Sequence, residues 1–159
     1  MAELIYAHAE RCMDCRACEV ACQRVHDGVT NVTVVRVEDR FAVPLMCRHC
    51  DPAPCVSACY AGALAASDGR VALEPERCTG CGLCLAACPF GVIGWTADRR
   101  AVHRCDLCAD RLATGQTPVC ALTCPAEALS YERYDAFVSR VQQRAAVNLL
   151  HTGQLGVRR

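Results

Sequence analysis

Sixteen cysteines stand along the chain in four groups of four, and this pattern limits the possible folds more than any other feature of the sequence. The groups are Cys12, Cys15, Cys18 and Cys22; Cys47, Cys50, Cys55 and Cys59; Cys78, Cys81, Cys84 and Cys88; and Cys105, Cys108, Cys120 and Cys124. None is left over. About a tenth of a 159-residue chain is thus one soft ligand type, which leaves three readings: disulfides, zinc sites or iron–sulfur clusters.

Disulfide scaffolds of this size belong to exported proteins. The opening MAELIYAHAER carries Glu3, Glu10 and Arg11 and has no apolar run of signal length. No stretch approaches the roughly 20 apolar residues of a membrane span. The expectation is a soluble, cytoplasmic protein whose thiols hold metal. Zinc also takes four thiolates, usually as two C-x2-C pairs per ion. The first and third groups read C-x2-C-x2-C-x3-C instead. Such a loop aims three thiolates at three corners of one cubane, and its fourth cysteine leaves on the next helix toward the other cluster of a pair. The second group widens the middle spacing to four residues, Asp51 to Pro54, and the fourth to eleven, Ala109 to Val119. Pro89 and Pro125 follow the third and fourth runs, where the first and second have Gln23 and Tyr60. The spacing therefore favours [4Fe-4S] clusters, four of them.

Charge narrows the function. Seventeen acidic residues balance seventeen basic ones, all arginine. Four clusters on sixteen thiolates would add about −8, and a polyanion is a poor ligand for nucleic acid. No glycine-rich phosphate loop, Ser–His–Asp set, or pterin or flavin fingerprint is present, so catalysis in this chain alone has no residues to carry it.

Between the groups the sequence predicts short strands and turns. Asp68-Gly69 marks one hairpin, and Asp98 lies near the turn of a second in GVIGWTADRRAVHR. LIYAHA before Cys12 predicts a strand with EALSYER as its partner, and short helices follow at Cys18–Arg24 and Cys84–Cys88. Asp135 to Leu150 predicts a helix, capped by Asp135 and ended by Gly153, with Phe137, Val138, Val141, Val147 and Leu150 as its apolar stripe. That helix either packs back on its own domain or docks on a partner or a second copy, with Arg140, Arg144, Arg158 and Arg159 as basic contacts.

The stretches PLMCRHCDPAPC (44–55), CTGCGLCLAACPFGVI (78–93), and CDLCADRL followed by PVCALTCPAEAL, after the Arg11-Cys12 opening, carry a resemblance from about Ile5 to Tyr131. In them the chain resembles the four-cluster ferredoxin-like electron-transfer subunits of molybdenum and tungsten oxidoreductases, of the dimethyl sulfoxide reductase and formate dehydrogenase type. Similar subunits serve carbon monoxide dehydrogenase and tungsten aldehyde oxidoreductases.

The resemblance implies an α+β fold of two nested, pseudo-symmetric ferredoxin-like units plus a C-terminal helix. The outer unit would take residues 1–46 and 89–134, the inner one 47–88 with flanking strands to about 96, and the tail 135–159. It implies four ligand sets: Cys12, Cys15, Cys18 and Cys124; Cys47, Cys50, Cys55 and Cys88; Cys78, Cys81, Cys84 and Cys59; and Cys105, Cys108, Cys120 and Cys22. Sequence alone also permits pairing of the first group with the second and the third with the fourth. The implied partner is a catalytic subunit, a molybdenum or tungsten pterin enzyme or carbon monoxide dehydrogenase, and a flavin subunit is a further candidate. The lack of an anchor helix points to a soluble partner.

Other residues carry less. His49, between two ligands, is either a donor to a cluster sulfur or an ordinary surface residue. His8, His26, His103 and His151 lack metal-ligand spacing, Tyr60 and Trp95 read as core aromatics, and Arg16, Arg48 and Arg104 either offset cluster charge or form a solvated face.

Overall fold

Asp68 and Gly69 both adopt the left-handed conformation, with φ of 53° and 75°, as a two-residue hairpin loop requires. They join two of eight short strands in the computed structural model, which describes residues 3–98 and 100–152. The strands are β1 (Glu3–Ala7), β2 (Val32–Val37), β3 (Phe41–Met46), β4 (Leu64–Ser67), β5 (Arg70–Leu73), β6 (Gly94–Trp95), β7 (Val102–His103) and β8 (Leu129–Arg133). The helices are α1 (Ala17–Val25), α2 (Pro54–Ser57), α3 (Leu83–Ala87), α4 (Ala109–Ala113), α5 (Val119–Leu122) and α6 (Tyr134–Thr152).

The strands form four antiparallel two-stranded sheets, β1–β8, β2–β3, β4–β5 and β6–β7. The pairing of LIYAHA with EALSYER is as expected, with Ile5 opposite Tyr131. The Asp98 turn joins β6 to β7, and Thr96 Oγ1 donates to the Asp98 carboxylate at 2.7 Å. The β2–β3 pair is not among the sequence expectations. Its cue is alternation: Val32 and Val34 of β2, and Ala42, Pro44 and Met46 of β3, are buried while their neighbours face outward.

Two apolar clusters result. One gathers Ile5, Val32, Val34, Met46, Leu107 and Leu129 around Cys18, Cys22 and Cys120. The other gathers Ala53, Leu64, Val71, Ile93 and Val102 around Cys84. α1 packs against α5, and α2 against α3, so helices of the first and fourth cysteine groups meet, as do those of the second and third.

α6 begins at Tyr134, one residue earlier than expected. Asp135 therefore lies in its first turn, accepting from the Arg133 guanidinium at 3.0 and 2.8 Å. Its first half packs back on the domain: Phe137 stacks on Tyr6 with centroids 4.1 Å apart, and Arg140 donates to Glu132 and to His8. Arg144 donates to Glu10 at 2.6 Å. These two arginines are thus paired within the chain instead of free for a partner. Beyond Arg140 the helix is exposed apart from half-buried Leu149, with Leu150 62% accessible. Gly153, Arg158 and Arg159 lie outside the described residues.

Candidate metal centre

Each cysteine group bends the backbone at the same place. Two residues past the first cysteine, Asp14, His49, Gly80 and Leu107 all take positive φ, between 46° and 66°. Glycine adopts this conformation freely, whereas Asp, His and Leu there cost roughly 1–3 kcal/mol each. The bend turns the amide of that residue onto the cysteine two positions before it: His49 N donates to Cys47 Sγ and Leu107 N to Cys105 Sγ, both at 3.4 Å. A second left-handed residue, Arg16, Gly82 or Cys108, then starts α1, α3 or α4.

These bends gather the thiols. One cavity is lined by Cys12, Cys15, Cys18 and Cys124. A second is lined by Cys59, Cys78, Cys81 and Cys84. A third is lined by Cys47, Cys50, Cys55 and Cys88. Each takes three cysteines from one group and the last cysteine of another. Cys22, Cys105, Cys108 and Cys120 are all buried; burial above all raises the Cys120 thiol pKa, and the nearby Cys105, Cys108, Cys22 and Cys18 add to it.

The donors suit a cubane. All sixteen cysteines are free thiols. Burial pushes Cys18 up to about 11 and Cys105 up to about 12, so these thiols ionise only when a positive core compensates them. Backbone amides also donate to the last cysteines of runs, Asn31 N to Cys22 Sγ at 3.3 Å and Ala128 N to Cys124 Sγ at 3.1 Å, as thiolate ligands require.

Around the thiols are groups that the sequence leaves undecided or hides. His49 is buried, its Nδ1 accepting from Val71 N at 3.1 Å. Burial, then the nearby Arg104 charge, hold its pKa down to about 4, so it is a neutral imidazole and not a surface residue. Arg104 is 5% accessible and donates from Nη2 to Cys47 Sγ at 2.8 Å, while Arg16 is exposed and Arg48 lies over the Phe90 ring.

His26, which has no ligand spacing in the sequence, sits among these groups too. Its Nδ1 lies 2.9 Å from Cys22 O and 3.6 Å from Cys22 Sγ, and Nε2 lies 3.0 Å from Asp106 Oδ1. Acceptors face both nitrogens. The bond to Asp106, with Cys108 and Cys22, raises the His26 pKa far above its ordinary value. Burial alone would raise the Asp106 pKa, but His26 and the amides of Cys108 and Ala109 outweigh it and hold the carboxyl down to about 2. The signal available in the sequence is the i, i+4 spacing of Cys22 and His26 on one helix face.

Two expectations fail. Tyr60 is 71% accessible, its hydroxyl bonded to Thr79 Oγ1 at 3.1 Å, and Trp95 is partly exposed against Gly82. Tyr60 keeps its hydroxyl outward for Thr79, and Trp95 lies against the bare backbone of Gly82 instead of entering a core.

A family described as the 4Fe-4S dicluster domain matches residues 37–133, and the 4Fe-4S binding domain matches residues 9–28. The chain belongs to the 4Fe-4S dicluster family. Together the two matches span all four cysteine groups. Among its relatives, an iron-sulfur protein of Rhodospirillum rubrum is 36% identical, over 84% of this chain and 84% of its own length. The thiosulfate reductase electron transfer subunit PhsB of Salmonella typhi is 38% identical, over 84% of this chain and 77% of its own. The B subunit of the anaerobic dimethyl sulfoxide reductase of Escherichia coli is 29% identical, over 89% and 78%.

Among the described residues no helix is long and apolar enough to cross a membrane.

Proposed function

We propose that the chain is the electron-transfer subunit of an oxidoreductase complex, relaying electrons through four [4Fe-4S] clusters to or from a catalytic partner. The observation that carries this reading is the gathering of cysteines into cavities by threes plus one. When bound, each cluster accepts and returns one electron. Cys12, Cys15, Cys18 and Cys124 would hold one; Cys47, Cys50, Cys55 and Cys88 the second; Cys78, Cys81, Cys84 and Cys59 the third; and Cys105, Cys108, Cys120 and Cys22 the fourth.

Packing of α1 on α5 and of α2 on α3 supports nested outer and inner two-cluster units, with residues 1–46 and 89–134 outside, 47–88 inside and 135–159 as the tail. The two separate apolar clusters support two units, with the inner core also taking Ile93, in the flanking segment to about 96, and Val102. The names of the relatives, an electron transfer subunit of a thiosulfate reductase and a chain of a dimethyl sulfoxide reductase, support a catalytic reductase subunit as partner, of the molybdenum type that the resemblance implies, and catalysis belongs to that subunit. A carbon monoxide dehydrogenase or tungsten enzyme, and a flavin subunit, are the other partners in view. Sixteen free thiols favour the cytoplasm, where they stay reduced until metal is inserted. The exposed second half of α6 is the segment available for self-association or partner docking.

Anaerobic purification with iron and sulfide analysis tests the cluster count. About sixteen irons and sixteen labile sulfides per chain are expected, four of each per cluster. A colourless zinc protein would refute the reading.

A further inference from the structure

Two buried polar atoms near the thiols, Nε2 of His49 and Nε of Arg104, have no hydrogen-bond partner among the described residues. Both belong to one small assembly. Arg104 follows β7 and immediately precedes Cys105, yet its side chain turns away to the neighbouring cavity, where Nη2 donates to Cys47 Sγ. Nη1 donates to the carbonyl of Val71 in β5, whose N–H donates to His49. Val71 itself is 1% accessible. One guanidinium therefore ties the Cys47 loop, the β4–β5 hairpin and the start of the Cys105 loop together. Arg104 is bonded to Cys47 and adjoins Cys105 in the chain, so the two cysteine loops come together at this residue.

The chemistry of this arrangement is specific. Arginine stays protonated at any working pH. Its charge is almost fully desolvated, and among the described residues no Asp or Glu is bonded to it. A fixed, unscreened positive charge with an N–H aimed at a thiolate sulfur favours the more negative, reduced state of whatever that thiolate ligates. His49 adds no second charge, because its Nδ1 accepts from Val71 and the imidazole stays neutral. Arg48, the neighbouring arginine, is only half-buried over Phe90.

Resting on the four-cluster reading, we infer that Arg104 is the positioning residue that raises the reduction potential of the Cys47–Cys50–Cys55–Cys88 site. It stands where that site approaches the one built on Cys105, so it eases reduction of the Cys47 site at the junction of inner and outer units. Electrons crossing between the units would pause beside this guanidinium.

Redox titration followed by electron paramagnetic resonance tests this in the full-length holoprotein, with the relevant signal assigned as the one altered in Cys55→Ser. In Arg104→Gln the reduction equilibrium of that signal is expected to fall at least tenfold, 59 mV for a one-electron couple. Arg104→Lys, which keeps the charge, is expected to shift it less. An unchanged midpoint in Arg104→Gln, with iron and sulfide retained, would overturn the inference. Should both variants lose the site, the unaltered protein decides. Grown on arginine with 15N in its guanidinium, it is expected to show nitrogen hyperfine coupling on that signal, and absence of the coupling would overturn the inference. A wild-type chain without iron would overturn the relay reading and this inference together.

Discussion

At Gly82 two demands meet on a single residue. Its φ is +75°, and a Cβ placed there would lie 2.8 Å from Cζ2 of Trp95. Gly28 offers a comparison, since its φ is +84° but nothing lies within 4 Å of the added carbon. Gly28→Ala is expected to cost about 1–2 kcal/mol, the penalty for a left-handed non-glycine residue. Gly82→Ala is expected to cost about 1 kcal/mol more, as overcrowding adds to strain. Denaturant unfolding of the two variants checks the difference, and tryptophan fluorescence should shift only in Gly82→Ala. Equal costs would mean that Trp95 simply swings away.

At this same scale the four cysteine runs are legible in the sequence, because their spacing is local. Arg104 and His26 were not. Neighbouring sequence places Arg104 beside Cys105, whereas its contact is with Cys47, 57 positions away. His26 depends on Asp106, 80 positions away. Such partnerships exist only once the connectors have folded.

α6 carries an internal pH dependence at its root. His8 lies under the helix, with Nε2 accepting from Arg140 at 2.8 Å and Nδ1 3.8 Å from Glu10. Burial, then the Arg140 charge, lower its pKa, and Glu10 and Glu132 oppose this only in part. His8 is therefore neutral in the folded state and protonates more easily when unfolded. Its contribution to stability is complete above its ordinary pKa of 6.5 and is lost as pH falls from there through the lowered folded value. Amide exchange in the first half of α6 is expected to accelerate relative to α1 between pH 7 and pH 5, and His8→Gln is expected to weaken that dependence. A pH-independent exchange ratio would contradict this. Of the elements themselves, the Asp68-Gly69 hairpin was legible because turn chemistry is local. β2–β3 escaped because its turn, through Glu38 and Asp39 at φ of 50° and 53°, lacks the glycine that announces one. The packing direction of α6 could not be read either, since Tyr6 and Phe137 meet only after β1 has found β8.

For the whole molecule, cysteine forms part of both apolar cores, in an amount that matters to stability. Cys18, Cys22 and Cys120 are built into one and Cys84 into the other. With aliphatic cores this small, ligand binding supplies much of the folding free energy. Thiols from parts of the chain far apart in sequence line one cavity together, Cys12 with Cys124 above all. Sequence alone left open which groups pair; the packing of α1 on α5 favours the nested arrangement. The most direct test is electron paramagnetic resonance of the reduced Cys12→Ser, Cys124→Ser, Cys22→Ser and Cys105→Ser proteins. Cys12→Ser and Cys124→Ser are expected to alter one and the same signal, and Cys22→Ser and Cys105→Ser a different one. If Cys12→Ser and Cys22→Ser instead alter the same signal, the crossed four-cluster relay is contradicted.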